Sequence, residues 1–382
     1  MRKLLLIIFA LPLLAGLGWW YFHQRELASL DPAYHEYAYV TNGKSNTVSV
    51  IDLRTFRLQR TLHVGSGPTG IAANPKRTEV YAVNSGSANM SVIDAERNVV
   101  VGTVGVQSAP YFVDVSPDGR RAYVANSGSN NVSVIDLDQR RVTATIRVGT
   151  SPGLARVSPD GLTVVVSNRG SDSASFIDTR KLSLRGTIPI CREPTDIAIL
   201  PDSSKVFVAC SGSAQVASID LKSDKLLALL DVGKTPVSLA LKPDGGELVV
   251  CNFDSDSISI IETATDEVNG SYLIGRHPTR AVVSADNSRL YVSNFGSDAV
   301  AVYDIDVGKI IASLPVGSAP DGLALSQSQN YLLVLDSRSG DATVIQKRKP
   351  RKLEPGEYGL LTMIPAGAQP NNIVVKAFIK QH

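Results

Sequence analysis

Short runs of apolar and β-branched residues recur along this chain, and they come in pairs. From Tyr123 to Asp136, apolar and β-branched residues flank Asn126, Ser127 and Gly128, the pattern of two strands joined by a tight turn. The same hairpin starts again at Tyr39, Tyr81, Val165, Phe207, Val249, Tyr291 and Leu333. Its turn-opening residues are Asn42, Asn84, Asn126, Asn168, Cys210, Asn252, Asn294 and Asp336, each 42 residues after the last. A second marker keeps that period: Pro68, Pro110, Pro152, Pro194, Pro236, Pro278 and Pro320. A lone hairpin is marginal in water. Strands repeating at this period predict the blades of a propeller, which bury their faces on one another.

A full unit holds four strands, A to D from the channel outward. Strand A begins at the marker proline (Pro110 to Val115) and ends in the turn Ser116-Pro117-Asp118-Gly119. The hairpin supplies B and C, and D follows, as from Val142 to Val148. Blade one has no A strand before it. Its match is Pro370 to Val375, which lies fifty residues after Pro320, the eight additional residues falling in Lys347 to Glu357. The expected fold is therefore all-β: eight four-stranded blades, closed by the C-terminal strand, which removes exposed sheet edges. A seven-bladed ring would leave one hairpin unused and is the alternative.

The N-terminus differs. Arg2 and Lys3 precede an apolar run from Leu4 to Phe22, interrupted by Pro12. It reads as a signal-anchor or a cleaved signal peptide, and Trp19, Trp20 and Tyr21 suit a membrane interface. Both forms place the blades outside the cytoplasmic membrane. Residues 1–22 are then the targeting segment, 23–36 a polar tether and 37–382 the propeller. Composition adds that 30 Gly and 20 Pro suit a turn-rich chain, and a net charge of +2 gives no strong nucleic-acid signal. A monomer is expected.

These repeats resemble the YVTN family of β-propellers, which is related to surface-layer repeats and to haem nitrite reductase-type propellers. The resemblance rests on Tyr39-Val40-Thr41-Asn42, on Val48–Asp52 and Val132–Asp136, and on Ser116–Gly119 and Ser158–Gly161. It implies the fold and says little of function.

Positions that match the other blades are structural, and departures are candidates. Asn42 and its equivalents read as turn formers in left-handed geometry, and Asp52, Asp94 and Asp136 as strand-end turn residues. The B–C turns and D–A linkers share one face, the top, and the later blades depart there. Arg169, Arg192, Phe253, Asp256, Arg276, His277, Arg280 and Phe295 form an expected aromatic and charged binding patch. Asp114 and Arg156 read as a channel-lining ion pair, with Asp196 nearer the mouth. Asp254 and Asp256 alone are too few for a calcium cage, so no metal is expected. Catalytic motifs and a cofactor signature are likewise not found. Among Cys191, Cys210 and Cys251, free buried thiols are the leading expectation and one bridge the alternative. On the opposite face, Lys347, Arg348, Lys349, Arg351 and Lys352 form a basic loop expected to meet the membrane. The favoured function is a non-enzymatic scaffold for a protein or polymeric ligand. The alternative is a redox or hydrolytic enzyme with an anionic ligand at the channel mouth.

Overall fold

The structure is a computed structural model that describes residues 31–348 and 356–380. Among these residues, 32 strands form eight antiparallel four-stranded sheets. Blade two shows the unit: Pro68–Ala73, Glu79–Asn84, Asn89–Asp94 and Val99–Gly105, in that order from the centre outward. The innermost strands touch in succession around the ring, and Pro370–Ile379 lies between Pro320–Leu325 and Pro68–Ala73. Eight blades close the circle, so the seven-bladed alternative falls.

Blade one is assembled from both ends of the chain. Tyr34–Asn42, Thr47–Asp52 and Arg57–His63 join Pro370–Ile379, with Tyr39 opposite Val374 and Val40 opposite Ile373. Pairing runs on to Tyr34 opposite Ile379, so the inner pair of this blade is longer than in the others. In blade eight the additional residues fall between Asp341–Lys347 and Tyr358–Pro365, the C and D strands.

The core lies between blades. Each of the eight apolar clusters joins neighbouring blades; one packs Tyr39, Val48 and Val50 of blade one on Val80, Ala82 and Ile93 of blade two. Strands B and C are covered on both faces, which is why they read as almost unbroken apolar runs. Burying a Val, Ile or Leu side chain contributes roughly 1.5–3 kcal/mol, so the stability of the ring resides in these interfaces. Strand D, at the rim, stays largely exposed, as in Arg57–His63. Asp52, Asp94 and Asp136 cap the C–D turns, each accepting backbone N–H bonds two and three residues on.

Ring closure makes the last strand necessary. Deleting residues from Pro370 onward should abolish the single cooperative thermal transition or lower its midpoint sharply, as followed by circular dichroism. An unchanged melt would show that blade one holds without its inner strand.

Candidate functional site

The top face is built from two segments per blade that hydrogen-bond to each other. In blade two the Ser85 and Gly86 N–H groups donate to Gly67 O and Ser66 O, both at 2.9 Å. The Ser66 N–H donates to Ser87 Oγ, and the Gly67 N–H to Asn46 Oδ1 of the preceding blade. The serine contact recurs at Ser129, Ser171, Ser213, Ser255 and Ser339. The recurrent serines of the turn are thus architectural.

The recurrent asparagines correct the expectation placed on them. Asn168 and Asn252 have φ of −102° and −101°, so they are extended, and the left-handed residues come four positions later, as at Asn130 and Asp172. Asn84 is fully buried and donates through Nδ2 to Asn89 Oδ1 and Ser91 Oγ across the hairpin. Its amide lies against the linker glycine. A Cβ added at Gly149, Gly233, Gly317 or Gly367 would stand 2.6 Å from Cγ of Asn168, Asn252, Asp336 or Asn42. In these blades a side chain would clash, whereas blade three carries Gln107 opposite Asn126.

Blade five replaces this contact with a covalent one. Cys191 takes the glycine position, Cys210 takes the asparagine position, and the two form a disulfide 19 residues apart. The expectation of three free thiols is therefore wrong, because two of the cysteines occupy positions that touch in other blades. Closing a loop of this length stabilises by about 3 kcal/mol on the chain-entropy account. Cys251 stays free and buried, and burial pushes its thiol up to about 12.

The expected patch divides into three parts. Phe253 and His277 stack face to face, 4.5 Å between centroids with 8° between planes, and Phe295 tilts against Phe253 at 6.3 Å. Arg338 lies over the Phe295 ring at 5.8 Å. Arg169 stands apart, 3.6 Å from Glu193, and Arg192 and Arg276 are exposed. Asp256 is committed elsewhere: its Oδ1 accepts the His277 N–H at 2.8 Å, as Asp172 Oδ1 accepts that of Glu193. It is a turn cap and not a free carboxylate.

Arg280 lies in the channel, where its guanidinium is 3.9 Å from Asp196. Burial opposes its charge, but Asp196 and then Asp321 outweigh it and hold the group above its ordinary range. Asp196 also accepts N–H bonds from Ile197 and, across to blade six, from Leu239. Burial raises the carboxyls of Asp114 and Asp321, against the pull of Arg156 on the first and Arg280 on the second. Asp114 and Arg156 do not close the expected contact ion pair. Arg156 instead covers the Phe112 ring at 4.4 Å, while Asp114 accepts N–H bonds from Val115 and Val157. Sequence reasoning missed Asp321, and also Tyr111, which is 53% exposed and lies near Arg280. Both sit one residue after a marker proline, where most blades have Thr, Gly, Val or Asn.

Two further cations were missed, Lys44 and Arg338, in the turns of blades one and eight. They line a cleft of about 450 Å³ with Phe295, Ser337, Ser339 and Gln369. On the opposite face, Lys347 is 3.8 Å from Glu357, and the Arg348 N–H donates to Glu357 O. Lys349, Arg351 and Lys352 lie outside the described residues, as do the apolar run at 4–22 and most of the tether. Among the described residues, no group of three or more His, Cys, Asp or Glu side chains is placed to hold a metal ion.

The model of the family described as "Lactonase, 7-bladed beta-propeller" matches residues 115–231 and 263–357, more than half of the chain. The chain belongs to that family. Its ring has one blade more than the family's description. A second model, "YNCE-like beta-propeller", matches residues 28–158. No curated protein matches the chain in sequence. Similar solved structures include hydrazine synthase of Kuenenia stuttgartiensis, with a TM-score of 0.59 and 23% identity over 70% of this chain and 92% of that one. The dihydro-haem d1 dehydrogenase NirN has a TM-score of 0.72 and 15% identity over 88% of this chain and 74% of that one. A functionally unknown protein from Desulfotomaculum acetoxidans has a TM-score of 0.61 and 16% identity over 89% and 98%. At these identities the likeness is one of fold.

Blade eight offers a test of the buried position. Asp336 replaces the asparagine there, and burial pushes its carboxyl up to about 6, although Thr343 Oγ1 donates to Oδ2. The folded protein therefore holds this proton more tightly than the unfolded chain. The stability so contributed is present below about pH 4 and is lost as pH rises through about 6. Asp336→Asn keeps the shape and removes the charge. Compared with the parent in urea unfolding, it should gain roughly 2–3 kcal/mol between pH 4 and pH 7.5. A difference that does not vary with pH would refute the buried charge.

Proposed function

We propose that this chain is an exported, membrane-anchored propeller whose top face binds a negatively charged macromolecule, and that it is a scaffold and not an enzyme. The carrying observation is the arc of cations. Arg192, Lys234 and Arg276 hold equivalent linker positions in three consecutive blades, where other blades have Ser66, Ser108, Thr150, Ser318 and Ala368. Arg169, Arg338 and Lys44 extend the arc through neighbouring turns. The nearby anions are engaged: Glu193 by Arg169, Asp254 by the Thr235 hydroxyl and Asp256 by the His277 backbone. The stacked Phe253 and His277, with Phe295 beside them, supply an apolar surface amid this charge.

Export is supported by the apolar run at 4–22 and by the disulfide, which persists in oxidising compartments. The bottom face would look at the membrane. Tyr34 starts its strand there, and Glu36 Oε1 accepts the Gln327 N–H of the blade-eight A–B turn on that face. Lys347 and Arg348, with which the basic stretch begins, lie at the end of that blade's C strand, on the same side.

A second reading keeps the anionic ligand but moves it to the channel mouth, where Arg280 stands between Asp196 and Asp321. The family's description then suggests a hydrolytic propeller acting on a lactone, with a redox enzyme as the other form of this reading. Lactone hydrolysis that disappears in Arg280→Ala, or a chromophore in protein purified from its own membranes, would replace the scaffold reading.

The scaffold is tested with a polymeric probe. At low salt the protein should bind dextran sulfate and ignore neutral dextran. Changing Arg192, Arg276 and His277 together to Ala should leave the melting temperature in place and weaken binding about tenfold or more, 1.4 kcal/mol for each tenfold. Undiminished binding by this variant would remove the arc from the account.

A further inference from the structure

Five blades have glycine at the second position of the B–C turn: Gly86, Gly128, Gly170, Gly212 and Gly296. Space explains it. A Cβ at Gly86 or Gly128 would stand 2.9 Å from Oγ of Ser66 or Ser108, and one at Gly296 would stand 2.8 Å from His277 Nδ1. Three blades break the rule, with Asp254, Arg338 and Lys44. Asp254 is engaged by the Thr235 hydroxyl at 2.5 Å. Arg338 and Lys44 stand in adjacent blades, and both line the cleft of about 450 Å³ at the seam where the ring closes. Long cations at positions where five blades keep glycine are a departure from the repeat in both space and charge.

The seam also lacks a backbone cap that five blades make. Asn46, Asn130, Asp172, Asp256 and Asp298 each cap the backbone N–H of the third residue in the next linker. Blades two and five have Ala88 and Ala214 there, and blade eight has Gly340, facing Gln369 in the linker at the seam. Gly340 has no side-chain acceptor to offer. The Gln369 N–H and carboxamide thus join the guanidinium, the ammonium and the Ser339 hydroxyl as donors around one space. No carboxylate lines it. Phe295 supplies the single aromatic wall, with Arg338 at its face.

We infer that this cleft binds a uronate, the carboxylated sugar unit of an acidic polysaccharide. Its carboxylate pairs with Arg338 and Lys44, the C–H face of the ring packs on Phe295, and its hydroxyls meet Ser339 and Gln369. The volume is in the range of small-ligand sites. The inference rests on the top face being anion-binding, and it names the class of polymer.

The test is calorimetric titration with trigalacturonate, with its methyl ester, and with tripolyphosphate as an anion that is not a sugar. The free acid should bind, and the ester and tripolyphosphate should bind at least tenfold more weakly. A double variant, Lys44→Gly with Arg338→Gly, installs the residue that five blades already use, so it should melt as the parent does. Its affinity for trigalacturonate should fall at least tenfold. Equal binding of the ester, tighter binding of tripolyphosphate, or unchanged affinity in the double variant would overturn the inference. If dextran sulfate binds and trigalacturonate does not, this inference falls while the scaffold stands.

Discussion

The structure depends on one contact made again and again: a linker glycine laid against the amide of a buried asparagine. It sets the distance between the D–A linker and its own hairpin in five blades, with Asp336 taking the asparagine's place in blade eight and Gln107 the glycine's place in blade three. The arrangement carries a cost. Oδ1 of Asn42, Asn84, Asn126, Asn168, Asn252 and Asn294 is buried without a hydrogen-bond partner, and each such group costs on the order of 1–3 kcal/mol. Apolar burial at eight blade interfaces offsets it. Blade five shows the same geometric demand met differently, since Cys191 and Cys210 bridge the two positions directly.

How much of this was legible follows from what a period can convey. Equal spacing of Asn42 to Asp336 reveals the number of blades, and the displaced Pro370 reveals the closure, because both are statements about distance along the chain. The direction of a side chain is not such a statement. Asn168 looked like a turn former by residue type, yet it ends a strand in extended geometry and points inward. Arg156 looked like the partner of Asp114, but the Phe112 ring competes for its guanidinium. The disulfide was within reach. Cys191 and Cys210 are separated by the same 19 residues as Gly149 and Asn168, and what was missing was the knowledge that those two positions touch.

The candidate site was legible where it departs from the repeat on the top face, and obscure where departure and function separate. Asp256 differs from Asn130 in type and does the same work for the backbone. Lys44 was hidden because it lies in the hairpin that most resembles the family, and Arg338 because blade eight is irregular throughout. Glycine is the more informative background in both places. A position that holds no side chain in five blades makes a long cation in two others a departure of space as well as of charge.

The central claim is that the repeat carries the architecture and the departures carry the binding. The most direct measurement reverts the departures together: Lys44 and Arg338 to Gly, and Arg192, Lys234, Phe253, Arg276 and Phe295 to Ser, the residue other blades use. The account predicts a thermal midpoint equal to or above that of the parent, with anionic polymer binding lost. A reverted protein that melts early, or that binds as before, would contradict it.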